Sequence, residues 1–240
     1  MRLLKSLMAA GVAVAMSLTA GTAAAGPSGG YDWTGPYAGA VASAGLFTVE
    51  QEDYWCWYAC NAPTLQDWDA SIGVQVGNNW QSGNFVYGVV ADWSTGFEQT
   101  ENVTFSGSDG VIWEGKWNSY GTIRGRAGIA AGDALVFATA GIAIIDADYR
   151  ANEVDTGGDS DCATHDCALF NDTSIGFAGG VGVGTPVGDK MHMTFEYLYI
   201  GTPWEKDIYN TANAGTDDYV SWTTSAHIGR VSLVWEFDGL

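Results

Sequence analysis

Lysine and arginine are the first things this sequence lacks. Nine of them stand against 28 aspartates and glutamates, a formal net charge of -19 over 240 residues. Two of the nine, Arg2 and Lys5, lie in the first five positions; without them the charge moves from -19 to -21, and the lysines left are Lys116, Lys190 and Lys206. So acidic a surface repels nucleic acid, which excludes that class of partner. Long apolar runs are missing beyond the N-terminus, because polar residues interrupt every later stretch, so a helical membrane protein is excluded. Proline is scarce (5), whereas glycine (33), tryptophan (11) and tyrosine (11) are abundant. With no helical periodicity, that composition predicts one all-β domain. Histidine is limited to His165, His192 and His227, and only His165 lies near cysteines. Neither a metal site nor any other cofactor is expected.

The N-terminus does hold one apolar run. Arg2 and Lys5 precede Leu7–Leu18, and Ala23-Ala24-Ala25 offers a small-residue cleavage site. Residues 1–25 are therefore expected to be a cleaved signal peptide, and the run is too short to span a membrane as a helix. The expected organisation continues with a periplasmic N-terminal segment (26–36), a barrel (37–237) and a C-terminal extension (238–240). Export also favours disulfides among Cys56, Cys60, Cys162 and Cys167, with three connectivities open.

What fills the rest is alternation. In "WDASIGVQVGNNWQSGNFVYGVVADW" the residues Trp68, Ala70, Ile72, Val74, Val76 and Trp80 recur at every second place. After "QSGN" the row resumes with reversed parity as Phe85, Tyr87, Val89, Ala91 and Trp93, the signature of a hairpin with one apolar face. Eight such segments run at about 37–48, 67–81, 84–98, 114–131, 134–149, 173–187, 190–201 and 223–237. The fourth carries Trp117, Ile123, Ala127 and Ile129 opposite Lys116, Asn118, Tyr120, Arg124 and Arg126. The first and fifth are apolar or small on both faces. Tight turns ("QSGN", "AGDA", "PVGDK") alternate strictly with long polar connections, which places every long loop at one end of an up-and-down sheet. An eight-stranded antiparallel transmembrane β-barrel has this layout, with short periplasmic turns and long external loops.

Which face meets water decides between a soluble barrel and a membrane one. Charges of both signs fall at mid-strand on the polar row: Asp92, Arg124, Arg126, Glu196, Arg230 and Glu236. Enclosed charges must pair, and this mixed set is expected to form a lumen network, with Arg124, Arg126, Glu196 and Arg230 at its centre. The apolar row is too bulky for the interior of eight strands. Its Trp68, Trp80, Phe85, Trp93, Trp117, Trp235 and Phe237 are expected to form aromatic girdles facing lipid. Trp68 and Trp80 lie twelve residues apart, about 40 Å along a strand at ~3.3 Å per residue; tilt reduces that to about 30 Å, near the ~25 Å apolar band of such barrels.

The stretches "YDWTGPYAGA", "GNFVYGVVADWS", "WNSYGTIRGRAGIAAGDALVFATAGIA", "FAGGVGVG", "MTFEYLYIG" and "HIGRVSLVWEF" resemble the RopB-like small outer-membrane β-barrels of Gram-negative bacteria. The resemblance spans nearly the whole chain after the leader, sparing the long loops. It implies eight strands, residence in the cell outer membrane, and a part in envelope integrity, surface display or slow passage of small solutes. It carries over no catalytic residue. A terminal aromatic residue recognised by the barrel-assembly machinery is the family pattern; here Phe237 precedes Asp238-Gly239-Leu240.

The lumen charges have two readings, structural pairing in a packed interior and a polar, porin-like pore, of which the first is favoured. A lipid hydrolase needs an activated nucleophile near lipid; His227 with Ser225 is the sole hint, outside any known motif. The acidic stretch from Asn152 to Asp172 departs from calcium-loop spacing and is expected to be a solvated loop. Tyr54, Trp55, Trp57 and Tyr58 around Cys56 and Cys60 suit either an adhesive knob or a rim contact. The expected partners are outer-membrane lipid and lipopolysaccharide, the assembly machinery, and an unidentified surface ligand. No enzyme activity is expected.

Overall fold

A computed structural model describes residues 30–53, 64–97, 100–106, 109–154, 167–202, 206–209 and 219–237. Ten strands appear among them: β1 (Gly35–Asp53), β2 (Leu65–Ser82), β3 (Phe85–Thr95), β4 (Thr100–Ser106), β5 (Asp109–Ala131), β6 (Ala134–Val154), β7 (Cys167–Gly188), β8 (Met191–Gly201), β9 (Lys206–Tyr209) and β10 (Tyr219–Glu236). Eight of them form a closed antiparallel ring in the order β1-β2-β3-β5-β6-β7-β8-β10, and β10 pairs back onto β1 from Tyr37↔Glu236 to Asp53↔Val220. Within the zone where all eight strands pair, closure leaves no unpaired edge, the condition for spanning lipid with strands.

The two short strands are continuations of ring members. β4 pairs with the first part of β5 (Asp109–Gly115), where β3, which pairs Ser119–Ile129, has left off. β9 similarly extends β8 along β10. Part of what alternation alone assigns to long loops is therefore strand: β5 runs to 23 residues and β6 to 21. At ~3.3 Å per residue β5 is about 75 Å long, far beyond the ~25 Å apolar band of an outer-membrane barrel. The wall thus extends as a skirt past the lipid-facing zone at the end where the longer connections lie.

At the other end the turns are tight. Ser82 pairs with Phe85 and Ala131 with Ala134, so Gly83-Asn84 and Gly132-Asp133 are two-residue loops. Gly83 and Gly132 hold φ of 61° and 64°, the left-handed region glycine enters without a side-chain clash.

Parity sets the faces. Over the lipid-facing zone Ile72, Val74, Ile129, Val136, Ile175, Val181, Leu233 and their row neighbours point outward and are exposed. In the skirt the outward row turns polar: Glu114 and Lys116 on β5, Asp146, Asp148 and Arg150 on β6. Beneath it the inward row turns apolar, with Phe47, Val49, Leu65, Trp113, Ile145 and Trp222 in one buried cluster. The same strands are inside-out where lipid surrounds them and ordinarily packed where water does. Residues 1–25, expected to be a signal peptide, together with Cys56, Cys60, Cys162, His165, Tyr54–Tyr58 and residues 238–240, lie outside the described residues, as does the side chain of Cys167.

Candidate functional site

The lumen is stacked in three layers. Its middle layer is charged, and short polar residues flanking each charge position it. Arg124 on β5 donates through Nη2 to Asp92 Oδ2 at 2.8 Å and through Nη1 to Glu196 Oε1. Its Nε donates to Thr122 Oγ1 and its Nη1 to Thr139 Oγ1, each at 2.8 Å. Those hydroxyls in turn donate to the acids, Thr122 to Asp92 Oδ2 at 2.6 Å and Thr139 to Glu196 Oε1 at 2.9 Å. Arg230 on β10 approaches Asp92 Oδ2 at 3.3 Å and Glu196 Oε2 at 3.9 Å. Every member is buried. Five strands, β3, β5, β6, β8 and β10, are thus tied across the barrel by one network, in surroundings where a lone charge is costly.

Arg126 behaves differently. It forms no ion pair among the described residues; its guanidinium lies 4.3 Å from the Phe137 ring centre and 5.7 Å from that of Tyr37. The rings' negative faces hold it in a cation–π sandwich. Glu236 also stands outside the central network, contrary to the expectation that grouped them. It lies six residues from Arg230, about 20 Å along a strand at ~3.3 Å per residue, and accepts from His192 Nδ1 at 2.9 Å at the short-turn end.

The layer at the long-loop end is the apolar cluster, and it holds one residue that alternation misplaces. Trp117 is 0% exposed and faces the lumen, with Nε1 donating to Thr224 Oγ1 at 2.9 Å. It is therefore no girdle residue. The cause is a β-bulge: the β5–β6 register shifts between Trp117 and Ser119, so Asn118 is an extra residue and parity reverses there. Lys116 consequently points out rather than in. Gly96 on the partner side must be glycine, since a β-carbon there would collide with the Trp117 carbonyl. Phe97 and Tyr120 stack at 5.7 Å over the bulge, and Phe47 meets Trp117 edge-on at 5.2 Å.

The layer at the short-turn end is sealed by the chain's own entry segment. Tyr31 N donates to Asp133 Oδ1 at 3.1 Å and Trp33 N to Gln81 Oε1 at 2.9 Å, drawing Tyr31–Thr34 across the mouth. Trp33 is fully buried against Val86, Ala130, Leu135 and Phe137. Its ring meets His192 at 5.0 Å, and a β-carbon on Gly184 would lie 2.9 Å from Trp33 Cη2. Sequence reasoning did not find this plug. The signal was "YDWTG", whose aromatic pair precedes any alternation.

The other aromatic residues named from sequence stand on the outer wall. Trp68 and Trp93 lie toward the skirt; Trp80, Phe85, Trp235 and Phe237 lie at the short-turn end, where Trp80 and Tyr87 stack at 5.6 Å. His227 also faces outward. Its Nδ1 bonds the Tyr197 hydroxyl at 2.6 Å, and among the described residues no carboxylate bonds it. Ser225 does not bond to it either. The parts of a base-activated nucleophile are therefore not brought together there.

About half of this chain matches a known outer-membrane protein. A 22 kDa outer membrane protein of Rhizobium leguminosarum bv. viciae is 32% identical over 130 residues, 52% of this chain and 49% of the relative. The matched stretch thus spans about half the length of that relative. Among solved structures, OprG of Pseudomonas aeruginosa shares 12% identity over 87% of this chain and 98% of its own, with a TM-score of 0.48. The outer membrane protease OmpT of Escherichia coli gives 9%, 87%, 98% and 0.47, and the attachment invasion locus protein Ail of Yersinia pestis 10%, 84%, 99% and 0.37. Residues 10–229 match the family described as the outer membrane protein beta-barrel domain. The chain belongs to that family, and it is an outer-membrane protein built as a small eight-stranded barrel.

Proposed function

We propose that this protein is a sealed structural barrel, one that contributes to envelope integrity and carries its longer connections at the cell surface. The observation that supports it is a lumen closed by buried side chains on both sides of its charged layer. An apolar cluster around Trp113 and Trp117 lies above the ion-paired layer, and Trp33, Leu135 and Phe137 lie below it. A water path requires continuous polar lining, and neither apolar layer offers one. In this reading the short turns face the periplasm. The outward rows contact lipid acyl chains, and Trp68, Trp80, Phe85, Trp93, Trp235 and Phe237 anchor the wall at the two interfaces. Lipopolysaccharide would surround the wall, and the barrel-assembly machinery would insert it.

Planar-bilayer recording tests the reading against a narrow porin. The sealed barrel gives no steps above the bare membrane; resolved, protein-dependent conductance steps overturn it. A second reading, adhesion, is favoured by the skirt, which raises the longer connections on strands reaching 23 residues. It requires that deleting 54–63 or 155–166 lowers surface binding while the barrel still folds.

A further inference from the structure

The enclosed charges do not balance. Arg124, Arg126 and Arg230 are all buried in the lumen, and among the described residues the buried acids beside them are Asp92 and Glu196. Both acids are engaged by Arg124 and Arg230. Arginine does not shed its proton in a protein, so the middle layer keeps one surplus positive charge. Arg230 also has two unpartnered nitrogens but reaches both acids, so the surplus is assigned to Arg126, which has no ion pair among the described residues and whose Nε and Nη1 have no hydrogen-bond partner there. Cation–π contact with Phe137 and Tyr37 leaves the in-plane N–H groups unused.

Other unpartnered polar groups lie on the neighbouring strands. Arg126 pairs in register with Gly88, and Gly88 pairs on its other side with Asn79. Both side chains point inward, with only glycine between them. Asn79 leans over that gap, since a β-carbon on Gly88 would collide with its Oδ1. Asn79 is fully buried, and neither its Nδ2 nor its Oδ1 has a partner. The Tyr37 hydroxyl, on the ring beside Arg126, is buried and unpartnered as well. The gap therefore has a surplus positive charge with guanidinium and amide donors at its edges, and the Tyr37 phenol lies over Gly77, two residues along β2 from Asn79.

We infer that the lumen encloses one small monovalent anion of chloride size, held by Arg126, Asn79 and Tyr37. One negative charge neutralises the layer, and each of the three donors finds an acceptor. The acidic surface, at a formal -19 for the whole chain, would not attract such an ion; the enclosed arginine layer would. The two apolar layers trap the ion as the barrel folds. This inference is independent of whether the barrel conducts.

The test uses the full chain refolded in detergent, with chloride replaced by gluconate at constant ionic strength. Gluconate is too bulky for an enclosed site. Thermal unfolding is followed by circular dichroism. Wild type should melt about 4 °C higher for each tenfold rise in chloride once the site begins to fill. Arg126→Gln should remove the dependence. Should that variant fail to fold, Asn79→Asp decides, because it places a fixed carboxylate opposite Arg126. It should melt above wild type in gluconate and ignore chloride. Identical wild-type melting in the two salts, or a chloride response undiminished in Asn79→Asp, overturns the inference and leaves bound water as the partner of those donors.

Discussion

Replacing Arg124 by methionine probes the central network most directly. Methionine keeps most of the length and apolar bulk, so the loss is electrostatic rather than a cavity. Arg124 makes charged bonds to Asp92 and Glu196, at about 1.5–3 kcal/mol each for hydrogen bonds to charged groups. Breaking one side of a buried pair costs about 3–5 kcal/mol because the abandoned charge stays buried. Arg230 still reaches both acids, at 3.3 and 3.9 Å, and offsets part of this. We therefore expect a loss of about 3 kcal/mol. Urea unfolding from phospholipid vesicles, followed by tryptophan fluorescence, measures it. Combining Arg124→Met with Asp92→Asn should recover about 1–3 kcal/mol as coupling. A single variant within about 1 kcal/mol of wild type, or a coupling energy of zero, would refute the claim that this layer holds the barrel together.

Trp117→Ala should cost about 3–5 kcal/mol in the same unfolding assay, since it empties a buried site and frees Thr224; a girdle residue facing lipid would cost far less. Trp33→Ala should destabilise by a similar ~3–5 kcal/mol yet leave bilayer conductance at baseline, because the apolar layer around Trp113 and Trp117 still blocks the path. A cysteine-linked fluorophore at Val74, which is 60% exposed, should be quenched by brominated acyl chains; one at the fully buried Val86 should not, and equal quenching would contradict the assigned faces. Gly182→Val should hinder folding, because its β-carbon would lie 2.5 Å from Phe137 Cζ, with overpacking costing about 1–3 kcal/mol.

The ring and its faces were legible because lipid on one side makes the period of two nearly unbroken. Ile72-x-Val74-x-Val76 and Phe195-x-Tyr197-x-Tyr199 announce their strands and their outward side together. Two things were not legible. The bulge at Asn118 adds a residue without any local signature, so a parity count started at Ile123 puts Trp117 and Lys116 on the wrong walls. The start of the apolar lumen was hidden because, where β6 leaves the lipid-facing zone, both its faces carry hydrophobic or small residues. Ala143, Ile145 and Ala147 point in while Ile142 and Ile144 point out, which from sequence resembles a weak strand. The plug formed by Tyr31–Thr34 needed tertiary information. Its bonds reach Gln81 and Asp133, 48 and 102 residues away.

The placement of the ion pairs follows from what a misfolded register would cost. Replacing a buried ion pair by apolar groups is often neutral or stabilising, so pairing alone is weak evidence of a gain in stability. Register is another matter. Sliding a strand by one residue moves its whole inward row to the outer wall. For β5 that carries Arg124 and Arg126 into acyl chains together, at about 2–4 kcal/mol for each arginine near the bilayer midplane. A one-residue slip of β10 exposes Arg230 in the same way, and one of β8 exposes Glu196. One-residue slips of β3, β5, β8 and β10 thus each carry a charge penalty within the membrane. Where the wall leaves the lipid, water would accept such charges and the penalty disappears. There the lumen is filled with tryptophan, tyrosine and isoleucine, and it is burial of those side chains that selects the register. Charge inside the membrane zone and grease inside the skirt are therefore two solutions to one problem, each using the residues that the surrounding solvent would reject.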